Sequence, residues 1–285
     1  MQERQELNIQ FLRNIVKNNF SLPADFHPFD LVLEIMPNLH SPNSELRDEL
    51  TYNILVNVLL QKRLTERQTV ELLRQSIGDD YLFYRIGETE TDSVFARGFG
   101  VLIAAAIVEI DAQSPELPIE EVRTASKQIV KYAFEERDHR GFIDGKGWAH
   151  SVAHTADALD SCAHHPYATL ADQELIIDAI HYLATVPHPL NHLEDDRLAY
   201  AALRMILKDQ DCVLDWNEWI SKFGFKPGSS KVDDLRNANA GHFLRALYFM
   251  LVWEHPSSSL IERIQLQIKT IHAHYRYGTL PIVQP

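Results

Sequence analysis

Two imidazoles and a carboxylate, His150, His154 and Asp157, stand at offsets of four and seven residues within Gly147-Trp148-Ala149-His150-Ser151-Val152-Ala153-His154-Thr155-Ala156-Asp157. On an α-helix those offsets return to one face, and Ser161 extends the row by a turn. Trp148, Val152, Ala156, Leu159 and Ala163 fall on the opposite side, so a helix over 147–163 is expected to have an apolar back and a His/His/Asp front. Such a front is a partial ligand set for Zn²⁺, Fe²⁺ or Mn²⁺, because a catalytic metal takes three protein ligands and keeps a position open for water. It also suits a pocket for a peptide or a small polar ligand, or a structural hydrogen-bonded network. The pattern His-Glu-x-x-His is absent, since Ser151 occupies the place of its general-base glutamate. Trp148 is expected to anchor the apolar back, with stacking on a ligand as the other reading.

Further charged groups sit where a helix would begin. Glu194, Asp195 and Asp196 favour a positive helix start and exceed what one cap requires, while Arg197 suits pairing with an acid or clamping an anion. Arg97 lies alone in an apolar stretch beside Gly98 and Gly100, which calls for a buried ion pair or an anion contact. Asn237 and His242 complete the candidate set. His139 and Asp144, in the glycine-rich loop 138–147, are placed to gate such a site, though residues there also serve simply as turn formers. Phosphate-cradling glycine loops, the Walker loop, the G-x-S-x-G elbow and a Cys/His nucleophile pair are missing, which argues against dinucleotide binding, P-loop hydrolysis and serine-type acyl transfer.

The elements that must carry these groups read as helices almost throughout. Apolar spacing of three and four recurs, without a series of alternating strands or hairpin signals. Expected helices cover 44–62 behind a cap at Ser44, 65–78 from Thr65 to Gly78, 118–137 with Glu120 and Glu121 in the first turn, 169–185, 194 onward, 213–223, 233–254 and a last one to Tyr277. Five segments share acidic or amide groups followed by small and apolar residues, starting at Asp48, Asp92, Trp148, Glu194 and Arg236. Their interval of roughly 40 to 55 residues matches helix-pair repeats, so an all-α fold stacked as a HEAT- or armadillo-like superhelix is expected, with an irregular helical domain as the alternative. The chain reads as a single domain, 1–285, with an irregular N-terminal cap over 1–43 and a C-terminal capping helix over 257–277.

Composition narrows the partners. A net charge of −13 opposes nucleic acid and anionic lipid, so neither is expected as a partner. Hydrophobic residues make up 45% of the 285, enough for a substantial core. The two cysteines, Cys162 and Cys212, form neither a metal cluster nor a disulfide framework, which fits a reducing compartment. The charged start Met1-Gln2-Glu3-Arg4-Gln5-Glu6 lacks the core of a signal peptide, and the run Phe95 to Ile110 is broken by Arg97 and Glu109, so a cytoplasmic protein with a buried apolar helix is expected.

The stretch Arg140-Gly141-Phe142 followed by Gly147-Trp148-Ala149-His150 through Asp157, and then Glu194-Asp195-Asp196-Arg197-Leu198-Ala199, resembles the bacterial domain-of-unknown-function family 2785. That family's pattern runs R-G-[YF], G-W-A-H-x-x-A-H-x-A-D and E-D-[ED]-R-L-A. Thr155 departs from it, standing where glycine is common. The resemblance implies a soluble, all-helical protein with His150, His154, Asp157, Glu194 and Arg197 at motif positions, and implies no activity. The expected function is a binding or scaffold protein whose concave face presents Arg97, Trp148, His150, His154, Asp157, Glu194, Asp195, Arg197, Asn237 and His242 to a peptide or small polar ligand. The alternative is a metal-dependent hydrolase holding its ion on His150, His154 and Asp157.

Overall fold

The computed structural model describes residues 9–23, 26–209, 213–224 and 230–275. Cys212, the charged start at 1–6, and residues 276–277 of the expected last helix lie outside these. Twelve α-helices occur among the described residues, with one two-stranded hairpin, so the chain is all-α as the apolar spacing requires. The described residues divide into two compact units, Met1–Asp172 and Gln173–Pro285, with the boundary in the first turn of one helix.

In the first unit, α1 (Ile9–Lys17) and α2 (Pro28–Ile35) precede a 3₁₀ turn, Met36–His40, within the stretch 1–43 expected as an N-terminal cap. A π-helical stretch, Glu45–Tyr52, then runs directly into α3 (Asn53–Leu60). Its start is capped by Asn43, whose side-chain oxygen accepts the Leu46 amide at 3.1 Å, while Ser44 makes no side-chain cap. The helix α4 (Glu66–Ser76) opens at Thr65 as expected, and does so on a capping box in which Thr65 and Gln68 satisfy each other's amides. Two long helices follow, α5 (Ser93–Gln113) and α6 (Ile119–Glu135), and after the hairpin strands β1 (Phe142–Ile143) and β2 (Gly147–Trp148) comes α7 (Ser151–His164).

Packing in this unit alternates: α3 lies on α5, α5 on α7, and α4 on α6. The helices α5 and α7 pack along their length, with Gly98 and Phe99 of α5 facing His154 and with Ala153, Ala156 and Ala163 of the alanine-rich α7 buried. Gly98 shows the tightness, since a Cβ there would stand 2.5 Å from the Ala149 carbonyl oxygen. By length and composition α5 passes as a membrane span, yet 78% of its apolar window is buried within the protein. That burial explains its low polarity without a bilayer.

The helix α8 (Leu170–Leu183) carries the boundary between units. In the second unit, α9 (Glu194–Lys208) packs on α11 (Lys231–Glu254), and α10 (Trp216–Ser221) and α11 both pack on α12 (Leu260–Tyr275). Caps again follow the sequence: Ser230 accepts the Asp233 amide at the start of α11, and Asp215 accepts the Glu218 amide at α10. The core of this unit is an aromatic cluster in which Trp219, Phe223 and Phe243 touch edge-to-face and stacked, with the Trp219 indole donating to the Ile177 carbonyl at 2.9 Å.

Candidate functional site

The helix bearing the histidines starts at Ser151 rather than at 147, and the difference reshapes the site. Gly145 and Gly147 take φ of +75° and +81°, turning the chain back so that Phe142 pairs with Trp148 and Ile143 with Gly147. Such two-residue strands are too short to leave an alternating pattern. His150 follows as the N-cap of α7 in the left-handed region, φ +48° and ψ +33°, a conformation costly for a residue with a Cβ. The amides of Ala149 and His150 both reach the Gly141 carbonyl, at 2.8 and 3.3 Å, which closes the hairpin under this turn.

Trp148 therefore stands on a strand, 39% exposed, and does not anchor the back of a helix. Its ring lies parallel to the half-buried His150 imidazole, centroids 4.1 Å apart and planes within 3°. Phe142, 45% exposed, meets Trp148 edge-to-face at 4.8 Å. Inward, the His150 ring is 5.5 Å from that of the buried His154, which packs on Phe99 at 5.3 Å, and Phe99 in turn packs on Tyr52 at 5.9 Å. A row of aromatic and imidazole rings thus leads from solvent to the π-helical stretch.

His154 Nδ1 lies 2.9 Å from the Gly98 carbonyl oxygen, which can only accept, so Nδ1 carries the proton and donates. This bond is the second reason position 98 must be glycine: the carbonyl faces α7 at a distance a side chain would prevent. The set expected to hold a metal, His150, His154 and Asp157, is not assembled. His150 sits in a left-handed turn outside the helix, and among the described residues no group of three or more His, Cys, Asp or Glu side chains is arranged to hold a metal ion. Thr155 is buried and donates its hydroxyl to the Ser151 carbonyl one turn back.

Arg97 has found a buried carboxylate. Its Nε and Nη2 donate to Glu136 at 2.6 and 3.0 Å, Nη1 donates to Ser93 Oγ and to the Tyr84 and Arg85 carbonyls, and Nη2 also reaches the Glu88 carbonyl. Burial works against its charge, but the hydrogen bonds and field of Glu136 outweigh that and hold the guanidinium above its ordinary pKa. With each guanidinium nitrogen engaged by the protein, Arg97 organises the loop before α5 rather than receiving a ligand. Glu136 further accepts from the Tyr132 hydroxyl and the Asp138 amide, at 2.8 Å each. Asp138 takes Arg140 bidentately at 2.7 and 2.6 Å, and its carbonyl accepts the Ser151 hydroxyl at 2.6 Å. Glu136 and Asp138 thus tie the end of α6 to the start of α7. Of the expected gating pair, His139 is buried within this segment and Asp144 is exposed at the hairpin turn.

Arg47 and Asp48, neither of them among the expected site residues, join this site from the π-helical stretch. Arg47 is fully buried, with Nη2 donating to the Lys146 and Trp148 carbonyls at 2.9 and 3.1 Å and Nη1 to the Ser41 carbonyl at 2.7 Å. Its Nε stands 2.6 Å from Asp48, and its guanidinium carbon lies 3.9 Å over the Phe95 ring. Burial pushes the Asp48 carboxyl up to about 6 in spite of that partner. The one signal available in the sequence was an Arg-Asp pair inside an apolar helix, and nothing in its spacing pointed to a hairpin a hundred residues away.

The other expected residues belong to the second unit. Glu194 is buried and accepts the His192 amide at 2.7 Å, which makes it a cap for the loop before α9. Asp195 is half-buried, Arg197 and His242 are exposed, and Asn237 is buried on α11. The structure brings Trp148, His150 and His154 together in the first unit, with Arg97 serving the adjoining loop.

The family model described as "Protein of unknown function (DUF2785)" matches residues 82–249, more than half of the chain. The match includes the hairpin, α7 and α9, whereas Arg47 and Asp48 precede it. No curated protein and no solved structure matches the chain.

Proposed function

The chain belongs to the DUF2785 family, and on the geometry of its first unit we propose that it is a binding protein that presents Trp148 and His150 to a peptide or a small polar ligand. One observation carries the reading: a partly exposed tryptophan is stacked on an imidazole held at positive φ. A left-handed non-glycine residue costs on the order of 1–3 kcal/mol and persists where the surroundings over-determine it, as they do at binding surfaces. A Trp/Phe surface flanked by imidazole supplies flat apolar area and a hydrogen-bonding group together, the combination that recognises small polar molecules and peptide side chains. The acidic balance of the chain disfavours polyanionic ligands.

We read the helix pairs of each unit as a HEAT-like superhelical stack. The packing of α3 on α5, of α5 on α7 and of α4 on α6 in the first unit, and of α9 on α11 in the second, supports this. The buried free thiol of Cys162 fits a cytoplasmic setting.

Thermal-shift screening of peptides and small polar compounds tests the reading with wild type, Trp148→Ala and His150→Ala side by side. A ligand at a hundred times its Kd stabilises the native protein by about 2.7 kcal/mol. Compounds that raise the wild-type Tm are expected to leave Trp148→Ala unshifted while its circular dichroism stays helical. Compounds that stabilise both equally place binding elsewhere and end the proposal.

A further inference from the structure

Arg47 is a fully buried cation whose hydrogen bonds go chiefly to backbone carbonyls of a distant segment. A buried charge is a poor way to gain stability, since apolar side chains of similar volume serve as well or better. What a planar guanidinium offers instead is direction, a rigid fork of donors that fixes the acceptors relative to one another. Here Nη2 serves the carbonyls of Lys146 and Trp148, which flank Gly147, and Nη1 serves that of Ser41, so the fork ties the hairpin to the turn before the π-helical stretch. Gly147 lies directly against the π-helical stretch: a Cβ added there would stand 2.6 Å from Ser44 Cβ and 3.3 Å from Arg47 Nη2, so the hairpin is seated on that turn with no room to spare. The underside of the fork is filled as well, by the Phe95 ring at 3.9 Å and Phe99 at 5.1 Å.

The stretch Glu45–Tyr52 winds with π-helical rather than α-helical hydrogen bonds, which changes the direction in which its side chains leave the axis. Wider turns of this kind are rare and concentrate at functional sites. We propose that Arg47 is the positioning residue of the Trp148–His150 platform, aimed at the hairpin by the π-helical turn and setting the Trp148 main chain so that its indole stays parallel to the His150 ring. This rests on reading the platform as the binding site, and it extends the site to a segment outside the region matched by the family.

The experiment reads the platform in the ligand-free protein. The His150 ring protons, stacked 4.1 Å from an indole, carry an upfield ring-current shift in the NMR spectrum, and Trp148→Leu supplies the unshifted reference. In Arg47→Lys, which keeps the charge and loses the fork, the His150 signals are expected to move to the Trp148→Leu position, while methyl signals of Ile129 and Val122 on α6 keep their native dispersion. An Arg47→Lys protein with a lowered Tm and unchanged His150 signals has a merely structural arginine, and the proposal is wrong. If Arg47→Lys does not fold, Gly147→Ala takes its place. The added methyl strains a backbone at φ +81° as well as lifting the hairpin off the fork, so the seat is read from the partial return of the His150 signals expected on adding Ser44→Gly. Unmoved His150 signals in a folded Gly147→Ala protein overturn the inference. Loss of the ring-current shift together with compounds that bind Trp148→Ala normally leaves the positioning role standing and removes the binding one, so the two failures are distinguishable.

Discussion

Arg97 and Glu136 meet out of water in a two-pronged ion pair, Nε to Oε2 at 2.6 Å and Nη2 to Oε1 at 3.0 Å, with both side chains almost fully enclosed. The pair joins the second turn of α5 to Glu136, the residue that caps the C-terminus of α6, and its spare hydrogen-bonding capacity is spent on the 84–88 loop, Tyr132 and the Asp138 amide. Through Asp138, whose carbonyl accepts the Ser151 hydroxyl, the same network reaches the start of α7 and so the turn that holds His150.

Breaking this pair from one side strands a buried charge. Arg97→Ala is expected to lower the stability of the first unit by about 3–5 kcal/mol, and Arg97→Met combined with Glu136→Leu is expected to recover little of it, because the buried Tyr132 hydroxyl and Asp138 amide then lose their acceptor. Urea titration followed by circular dichroism measures both, and a single-variant loss below about 1 kcal/mol would contradict the assignment.

Asp48 sets a pH dependence with a definite sign. Burial raises its carboxyl from the ordinary 3.8 to about 6, so the folded state holds its proton more tightly than the unfolded chain does. The stability this contributes is complete below about 4 and is lost as pH rises through about 6. Asp48→Asn, unable to ionise, is expected to gain stability relative to wild type across that window. Parallel urea curves for the two proteins at pH 4, 5, 6 and 7 reveal it, and a constant difference between them rules it out.

Gly98 leaves no space for a side chain against the Ala149 carbonyl, 2.5 Å from where a Cβ would stand, and backbone cannot step aside cheaply. Gly98→Ala is expected to cost about 1–3 kcal/mol through overpacking, despite the helical preference for alanine. It also pushes α7 away from the Gly98 carbonyl that receives His154 Nδ1–H. Thermal unfolding with an NMR reading of the His154 ring decides it; a variant more stable than wild type would show that the helices have room.

Cys162 is buried on α7, and burial pushes its thiol up to about 12. Iodoacetamide at pH 8 is expected to leave it unmodified in the native protein and to alkylate it once urea unfolds the chain. Mass spectrometry of the Cys162 peptide follows the reaction, and rapid native labelling would mean that α7 opens readily.

The helical class, the helix start at Thr65, the extra acid at Glu194 and the need for a partner at Arg97 could all be read from residues within a turn or two of one another. Periodicity, capping and the cost of an isolated buried charge are local quantities, so they are written into short stretches of chain. The site was legible only in part. His150 and His154 were recognised as neighbours, but the helix expected to align them with Asp157 begins after His150. Three glycines signalled an unusual backbone without saying that it would form a hairpin or leave a histidine at positive φ. Which carboxylate answers Arg97, why Trp148 faces water, and how Arg47 comes to grip the hairpin were decided by tertiary packing. These pairings close loops of 39 and 101 residues, and their energies depend on what surrounds each group once the helices have come together.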